Sequence, residues 1–365
     1  MPALISAVAS YAPDRIVTNE ELARTIDTSD EWIRSHTGIR ERRIASEDQA
    51  ASDLALRAAQ RALARVGAAG TDLDMIIVAS SSPDYANFPS VASIVQDRIG
   101  ASQAGAFDLA AGCTGFVYAL EVARSLVEAG SAGKVMVIGS EVLTRITNWE
   151  DRNTCVLFGD GAGAALVESG PAGGSAPTGA TPREADPSPA APAPREADLS
   201  PAAPAPREAS PRHELLGSWL QSKGSGDAAL IRPVGGTRTP YDAQRHTAAD
   251  MTIHMDGRRV YLFAVDALVR SIETLCERHG LTSHDLAWIV PHQANARIIE
   301  AAAKRIGLPL ERFYTNLDRY ANTSAASIPL ALDEMQEQGL LKQGQMVLTV
   351  GFGAGLSYGG NMIRW

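Results

Sequence analysis

Cys113 lies in Phe107-Asp108-Leu109-Ala110-Ala111-Gly112-Cys113-Thr114-Gly115-Phe116, a short apolar run, then small residues, then a helical pattern. A strand–turn–helix elbow of this kind places a sulfur at a helix N-terminus, where the dipole and free N–H groups favour thiolate over thiol. The flanking glycines allow a substrate to approach closely. On these residues alone, a nucleophile and a buried structural cysteine are equally good readings. Cys155 and Cys276 lack the elbow and read as core.

His292, in Val290-Pro291-His292-Gln293-Ala294-Asn295, follows an apolar run and precedes a helical pattern at 297–306. The end of a strand is where α/β folds carry functional groups, although a core histidine satisfied by backbone fits the same stretch. Asn322, in Asn322-Thr323-Ser324-Ala325-Ala326-Ser327, could do no more than cap the helix after it. Two glycine-rich runs, 159–163 and 351–355, look superficially like nucleotide loops. The first enters a strand, and the second lies too near the end of the sequence for a dinucleotide unit. Both read as close backbone packing, and the second could also offer an N–H to an oxyanion.

The elements that would position these residues occur twice. Gly67 is followed by Asp72-Leu73 and the apolar Met75-Ile76-Ile77-Val78; Gly280 is followed at the same spacing by Asp285-Leu286 and Trp288-Ile289-Val290. Cys113 lies 17 residues before Gly130, and Asn322 lies 17 before Gly339, with a helical pattern in each gap and an apolar run after each glycine. Each glycine is a helix stop. The pattern predicts an α/β chain of two duplicated halves, 1–169 carrying the cysteine and 213–365 carrying the histidine and asparagine. If the halves pack about a pseudo-twofold axis, Cys113 and Asn322 share one site.

Between the halves, residues 170–212 are rich in Pro and Ala, with Pro-Arg-Glu-Ala recurring every 12 residues from Pro182. Almost no large apolar side chain is present, so the segment is expected to be a disordered or polyproline-like insert, a tolerated repeat expansion rather than a docking element. A net charge of −9 over 365 residues disfavours nucleic acid or an anionic membrane as partner. Three scattered cysteines imply neither a disulfide framework nor a structural metal, and fit a reducing cytoplasm. No run approaches the roughly 18 apolar residues of a membrane helix.

Taken together, Thr28-Ser29-Asp30-Glu31-Trp32-Ile33, Thr37-Gly38-Ile39-Arg40-Glu41-Arg42, the cysteine elbow, 158–164, 291–295 and 322–327 resemble β-ketoacyl-acyl-carrier-protein synthase III over nearly the whole chain outside the insert. The resemblance implies a five-layer αβαβα thiolase-like fold and a Cys113–His292–Asn322 triad. The implied reaction is condensation of an acyl-CoA primer with malonyl-carrier protein, initiating type II fatty-acid synthesis without a metal or other cofactor. It further implies an oxyanion site at the amides of Cys113 and Ala354, and CoA contacts at Trp32, Arg152, Gly257 and Asn295. Carrier-protein contacts fall at Gln293, Arg297, Lys304 and Arg305, and Phe88 would reach the acyl pocket of a homodimer partner. The chain departs from the family at His36, where arginine is frequent. The alternative within the same chemistry is a condensing enzyme or acyltransferase of secondary metabolism. A non-catalytic scaffold is disfavoured by the three triad residues occurring together.

Overall fold

The computed structural model describes residues 1–86, 88–170 and 212–365. The predicted disordered insert therefore lies, apart from its two ends, outside the described residues. Nine strands form one continuous sheet: β1 (Ala3–Tyr11), β2 (Met75–Ala79), β3 (Gly105–Leu109), β4 (Lys134–Val142), β5 (Asp160–Ser169), β6 (His213–Ser222), β7 (Trp288–Pro291), β8 (Met346–Gly353) and β9 (Ser357–Arg364), in the order β7-β8-β9-β6-β1-β5-β4-β2-β3. The helices that bear on the site are α1 (Asp30–Thr37), α2 (Ala51–Val66), α3 (Gly115–Glu128), α4 (Gly257–Arg278), α5 (Ala296–Ile306) and α6 (Ser327–Glu337).

The sheet is two copies of one pattern joined at a narrow seam. From β1 outward the strands run β5, β4, β2, β3, with two antiparallel pairings followed by two parallel ones. From β6 outward they run β9, β8, β7, again antiparallel twice and then parallel, and Phe313 bridges parallel to Ile289 where the fifth strand would lie. The seam is two residue pairs, Leu4 with Glu214 and Ile5 with His213.

Helices fill the layers between and outside the half-sheets. α3 and α6 pack centrally, α2 covers the β1–β5–β4 face, and α4 covers β8 and β9. Three apolar clusters mark the interfaces. Phe116, Leu120, Ile328, Leu332, Val347 and Ile363 share the central one. Leu54, Ala58, Ile76 and Met136 lie under α2, and Leu268, Ile272, Leu348 and Met362 lie under α4. The layering is αβαβα. The four glycines read as helix stops, Gly67, Gly130, Gly280 and Gly339, all have φ between 65° and 73°, which residues with a Cβ adopt at a cost. The duplicated aspartates also match: Asp72 accepts from Ala69 N at 2.9 Å and Asp285 from Thr282 N at 2.7 Å, closing the same turn in each half. The first glycine-rich run does not precede its strand as expected but mostly lies within it, because β5 begins at Asp160. A Cβ on Gly163 would strike Pro329 of α6 at 2.6 Å, so the glycine lets the central layer pack against the sheet.

Candidate active site

Cys113, His292 and Asn322 arrive from three separate stretches and line one cavity of about 600 Å³. Cys113 sits in a single 3-10 turn, Gly112–Thr114, between β3 and α3. The turn interlocks with the end of β8. A Cβ on Gly353 would lie 2.7 Å from Cys113 Cβ, and one on Gly112 would lie 3.0 Å from Ala354 Cβ. The amides of Ala354 and of Cys113 itself point at the sulfur. Cys113 is buried, and burial pushes its thiol up to about 11 despite those donors. The sequence expectation of a thiolate is therefore corrected. The α-helix starts two residues later, at Gly115, and desolvation outweighs what the helix end supplies.

His292 follows β7 and is buried, its ring edge-on to Phe352 at 5.3 Å between centroids. Its Nδ1 lies 2.7 Å from Ser327 Oγ, and Ser327 Oγ accepts from Gln293 N at 3.4 Å. We assign the Ser327 proton to His292 Nδ1, since the hydroxyl already accepts from Gln293, and this places the ring hydrogen on Nε2. Burial pulls the imidazole down to about 3, so it is neutral at ordinary pH. Asn322 Oδ1 accepts from Ser324 N at 2.9 Å, and the residue's backbone pairs with Leu157 and Gly159. Its Nδ2 remains as a free donor at the cavity wall. The site thus combines one buried thiol, two neutral N–H donors and two backbone amides. That set can hold an acyl thioester and stabilise negative charge on a carbonyl oxygen.

Toward the mouth, the cavity is lined by Trp32, His36, Asn153, Arg232, Gly257 and Asn295. Trp32 stacks on His36 at 4.4 Å, and the Arg152 guanidinium lies 4.9 Å from the indole centroid. His36 Nδ1 is 2.8 Å from Trp32 O, so the ring is tied to its own helix as padding for the indole. Asn295 uses both side-chain groups internally. Its Oδ1 caps α5 at Arg297 N, 2.9 Å, and its Nδ2 donates to His36 O, 3.1 Å.

Gln293, expected at the carrier-protein surface, is instead buried, and the expectation fails for it. Its amide donates to Pro291 O and Tyr314 O and accepts from Asn316 N, bracing the loop under His292. Arg297 and Lys304 are exposed on α5, while Arg305 pairs with Asp266 at 3.1 Å. Phe88 is 83% exposed, away from this chain's own cavity lining.

Three residues at or behind the site carried no signal by themselves: Ser324, Ser327 and Glu141. The Ser-Ala-Ala-Ser spacing after Asn322 places two hydroxyls three residues apart on one side of a forming helix, the only hint available from sequence. Nothing marks Glu141 in an apolar strand as anything but an anomaly.

The family model described as 3-oxoacyl-[acyl-carrier-protein] synthase III matches residues 107–182, and the one for its C-terminal part matches 276–365. A β-ketoacyl-[acyl-carrier-protein] synthase III from Caldanaerobacter subterraneus is 45% identical over 99% of this chain and 97% of the relative. One from Clostridium acetobutylicum is 42% identical over 99% and 98%. Among solved structures, the synthase III from Thermus thermophilus superposes with a TM-score of 0.82 at 40% identity, covering 99% of this chain and 98% of that one.

Proposed function

The chain belongs to the β-ketoacyl-[acyl-carrier-protein] synthase III family, and on that premise we propose that Cys113, His292 and Asn322 divide its condensation reaction between them. The enzyme joins an acyl-CoA primer to malonyl-carrier protein, releasing CoA and carbon dioxide and starting fatty-acid synthesis. The observation that carries the assignment is the meeting of these three side chains on one cavity.

Cys113 attacks the primer thioester. The S–C bond to the acyl carbon forms, the bond to CoA sulfur breaks, and the amides of Cys113 and Ala354 hold the intermediate oxyanion. Malonyl-carrier protein then enters. Loss of carbon dioxide leaves an enolate, whose oxygen takes hydrogen bonds from His292 Nε2 and Asn322 Nδ2. The enolate carbon attacks acyl-Cys113 and expels the thiolate, giving 3-ketoacyl-carrier protein. A neutral imidazole suits this role, because it donates to the oxygen without protonating the carbanion.

The primer we assign is acetyl-CoA. Trp32 with Arg152 suits the adenine of CoA by stacking and cation–π contact, and Gly257 and Asn295 lie along the path to the sulfur. Exposed Arg297 and Lys304, with Arg305 beside them, form a basic patch suited to an acidic carrier protein in an otherwise acidic chain. A homodimer accounts for Phe88, and for β3, which ends the sheet and leaves Phe107 37% exposed. No helix among the described residues is long and apolar enough to cross a membrane, and three free cysteines suit the cytoplasm.

Intact-mass measurement after exposure to acetyl-CoA tests the assignment. The wild type gains one acetyl group and Cys113→Ala gains none. An adduct that persists in Cys113→Ala, on Cys155 for example, would overturn the choice of nucleophile.

A further inference from the structure

The reaction above leaves one atom unassigned. Cys113 is a thiol, and its proton must leave when the S–C bond forms. His292 is a poor recipient: burial disfavours its charged form, and in the tautomer assigned above Nδ1 is occupied by Ser327 while Nε2 carries hydrogen. Another acceptor is needed near the sulfur.

Glu141 is fully buried near the end of β4, and no Lys or Arg among the described residues forms an ion pair with it. Its carboxylate is instead surrounded by neutral donors. Ser82 Oγ donates at 2.5 Å, Ser81 N at 3.1 and 3.0 Å, and Ser80 Oγ at 3.5 Å. The turn that carries Ser324 and Ala325 packs against the same strand. Two residues earlier on the same face, Gly139 lets the turn Ser324–Ala326 rest on the strand, since a Cβ there would stand 2.2 Å from Ala325 O. Ser324 is thereby held between strand β4 and the Cys113 turn, with φ at 47°, outside the range ordinary residues favour.

Ser324 lines the cavity together with Cys113, and its turn packs on both the Cys113 turn and β4, which places the hydroxyl between the sulfur and the strand that carries Glu141. That hydroxyl is buried with no hydrogen-bond partner in the resting protein. A hydroxyl poised between a proton source and a proton sink is a relay.

Building on Cys113 as the nucleophile, we propose that Glu141 receives the Cys113 thiol proton through Ser324 when the acyl group is loaded, and returns it when the thiolate is released. The balance closes. On acylation the thiol proton passes to Ser324 while the Ser324 proton passes to Glu141, and the departing CoA thiolate takes a proton from solvent. On condensation the expelled Cys113 thiolate recovers its proton by the reverse path, leaving Glu141 ionised again. Burial raises the carboxyl above the usual carboxylate range, which suits a group that must hold a proton for the lifetime of the acyl-enzyme. Glu141 acts through Ser324 and is a positioning residue rather than a catalytic one.

The test is infrared difference spectroscopy of the full-length enzyme before and after acetylation by acetyl-CoA, with intact mass followed in parallel. A protonated-carboxyl band should rise with the adduct, shift when glutamate carries carbon-13, and be missing in Glu141→Gln and Ser324→Ala. Those variants should acylate about 10²-fold more slowly or worse, with Glu141→Asp recovering part of the band and rate. An adduct on wild-type Cys113 without the band overturns the relay and leaves the nucleophile standing, and it needs no variant to fold. Glu141→Gln acylating at the wild-type rate overturns it too. Absence of any wild-type adduct removes the nucleophile and the relay together.

Discussion

Gly353→Ala offers a sharp test of how tightly Cys113, the proposed nucleophile, is positioned. The added Cβ would stand 2.7 Å from Cys113 Cβ, 2.9 Å from Sγ and 3.0 Å from the backbone nitrogen. Ordinary carbon contacts are about 3.5–4.0 Å, so the nucleophile's turn must retreat by something on the order of 0.5–1 Å. All three clashing atoms belong to Cys113, and the turn has little room toward Ala354, where even a Cβ built on Gly112 would stand 3.0 Å from Ala354 Cβ. A displacement of about 1 Å at a reacting group costs roughly 10²-fold in rate, and loss of one oxyanion donor roughly 10²–10³-fold. We therefore expect Cys113 acetylation to slow by about 10²-fold or more, with a stability loss of about 1–3 kcal/mol from overpacking. The assay is quenched intact-mass measurement against time, with thermal melting to show that the variant is folded. Gly224→Ala, whose Cβ meets nothing within 4 Å, is the control and should behave as wild type. Acetylation of Gly353→Ala at the wild-type rate would refute the packing argument.

Ser327→Ala removes the donor that sets the His292 tautomer. Malonyl decarboxylation should fall by about 10–100-fold while self-acetylation changes little, and nitrogen-15 shifts of His292 should show mixed tautomers; an unchanged tautomer would exclude Ser327 as its determinant. His213, stacked on Trp365 at 3.9 Å with an unpartnered Nδ1, is pulled down to about 4 by burial. Its unfolded form binds a proton below about 6.5, so its contribution is full above that pH and is lost as pH falls toward 4. The loss is up to about 1.4 kcal/mol per pH unit. His213→Phe should flatten this part of the denaturation profile without altering turnover. Deleting 173–211 should preserve activity. Ser169 and Glu214 flank neighbouring residues on opposite edges of β1, so the ends are about 10 Å apart by strand spacing, and the four residues left at 170–172 and 212 span that gap. A large loss of turnover would show that the segment contributes.

Much of this was legible because it is written in local patterns. The glycine stops, the paired Asp-Leu turns and the apolar runs repeat at fixed spacing, and backbone geometry leaves few other ways to satisfy them. The three residues that meet on the cavity were legible through their sequence surroundings rather than their chemistry, since Cys113, His292 and Asn322 each had an ordinary structural explanation. What escaped depends on burial and on distant contacts. Sequence could not show that desolvation overrides the helix end at Cys113, or that Gln293 turns inward to bridge Pro291, Tyr314 and Asn316. Ser327 and Glu141 acquire meaning only from partners 35 and 59–61 residues away.

The duplication explains why the two halves differ where they meet. Met75 and Trp288 each lie eight residues after the matching glycines Gly67 and Gly280. In parallel register they oppose Val135 and Val347. Counting on from these, Gly139 corresponds to Gly351, and Glu141 to Gly353. The first pair does the same work twice. A Cβ on Gly139 would strike Ala325 O, and one on Gly351 would come within 3.0 Å of Thr114 Cα, so each strand accepts the turn that opens the other half's central helix. The second pair has diverged. Gly353 leaves room for the Cys113 sulfur, whereas Glu141 puts a buried carboxyl on the strand that packs against the Ser324 turn. One position of the duplicated pattern has thus become the space for the Cys113 sulfur in one half and a buried acid beside the Ser324 turn in the other. A single site therefore needs both halves: the first supplies Cys113 and Glu141, and the second supplies His292, Asn322, Ser324 and the space at Gly353.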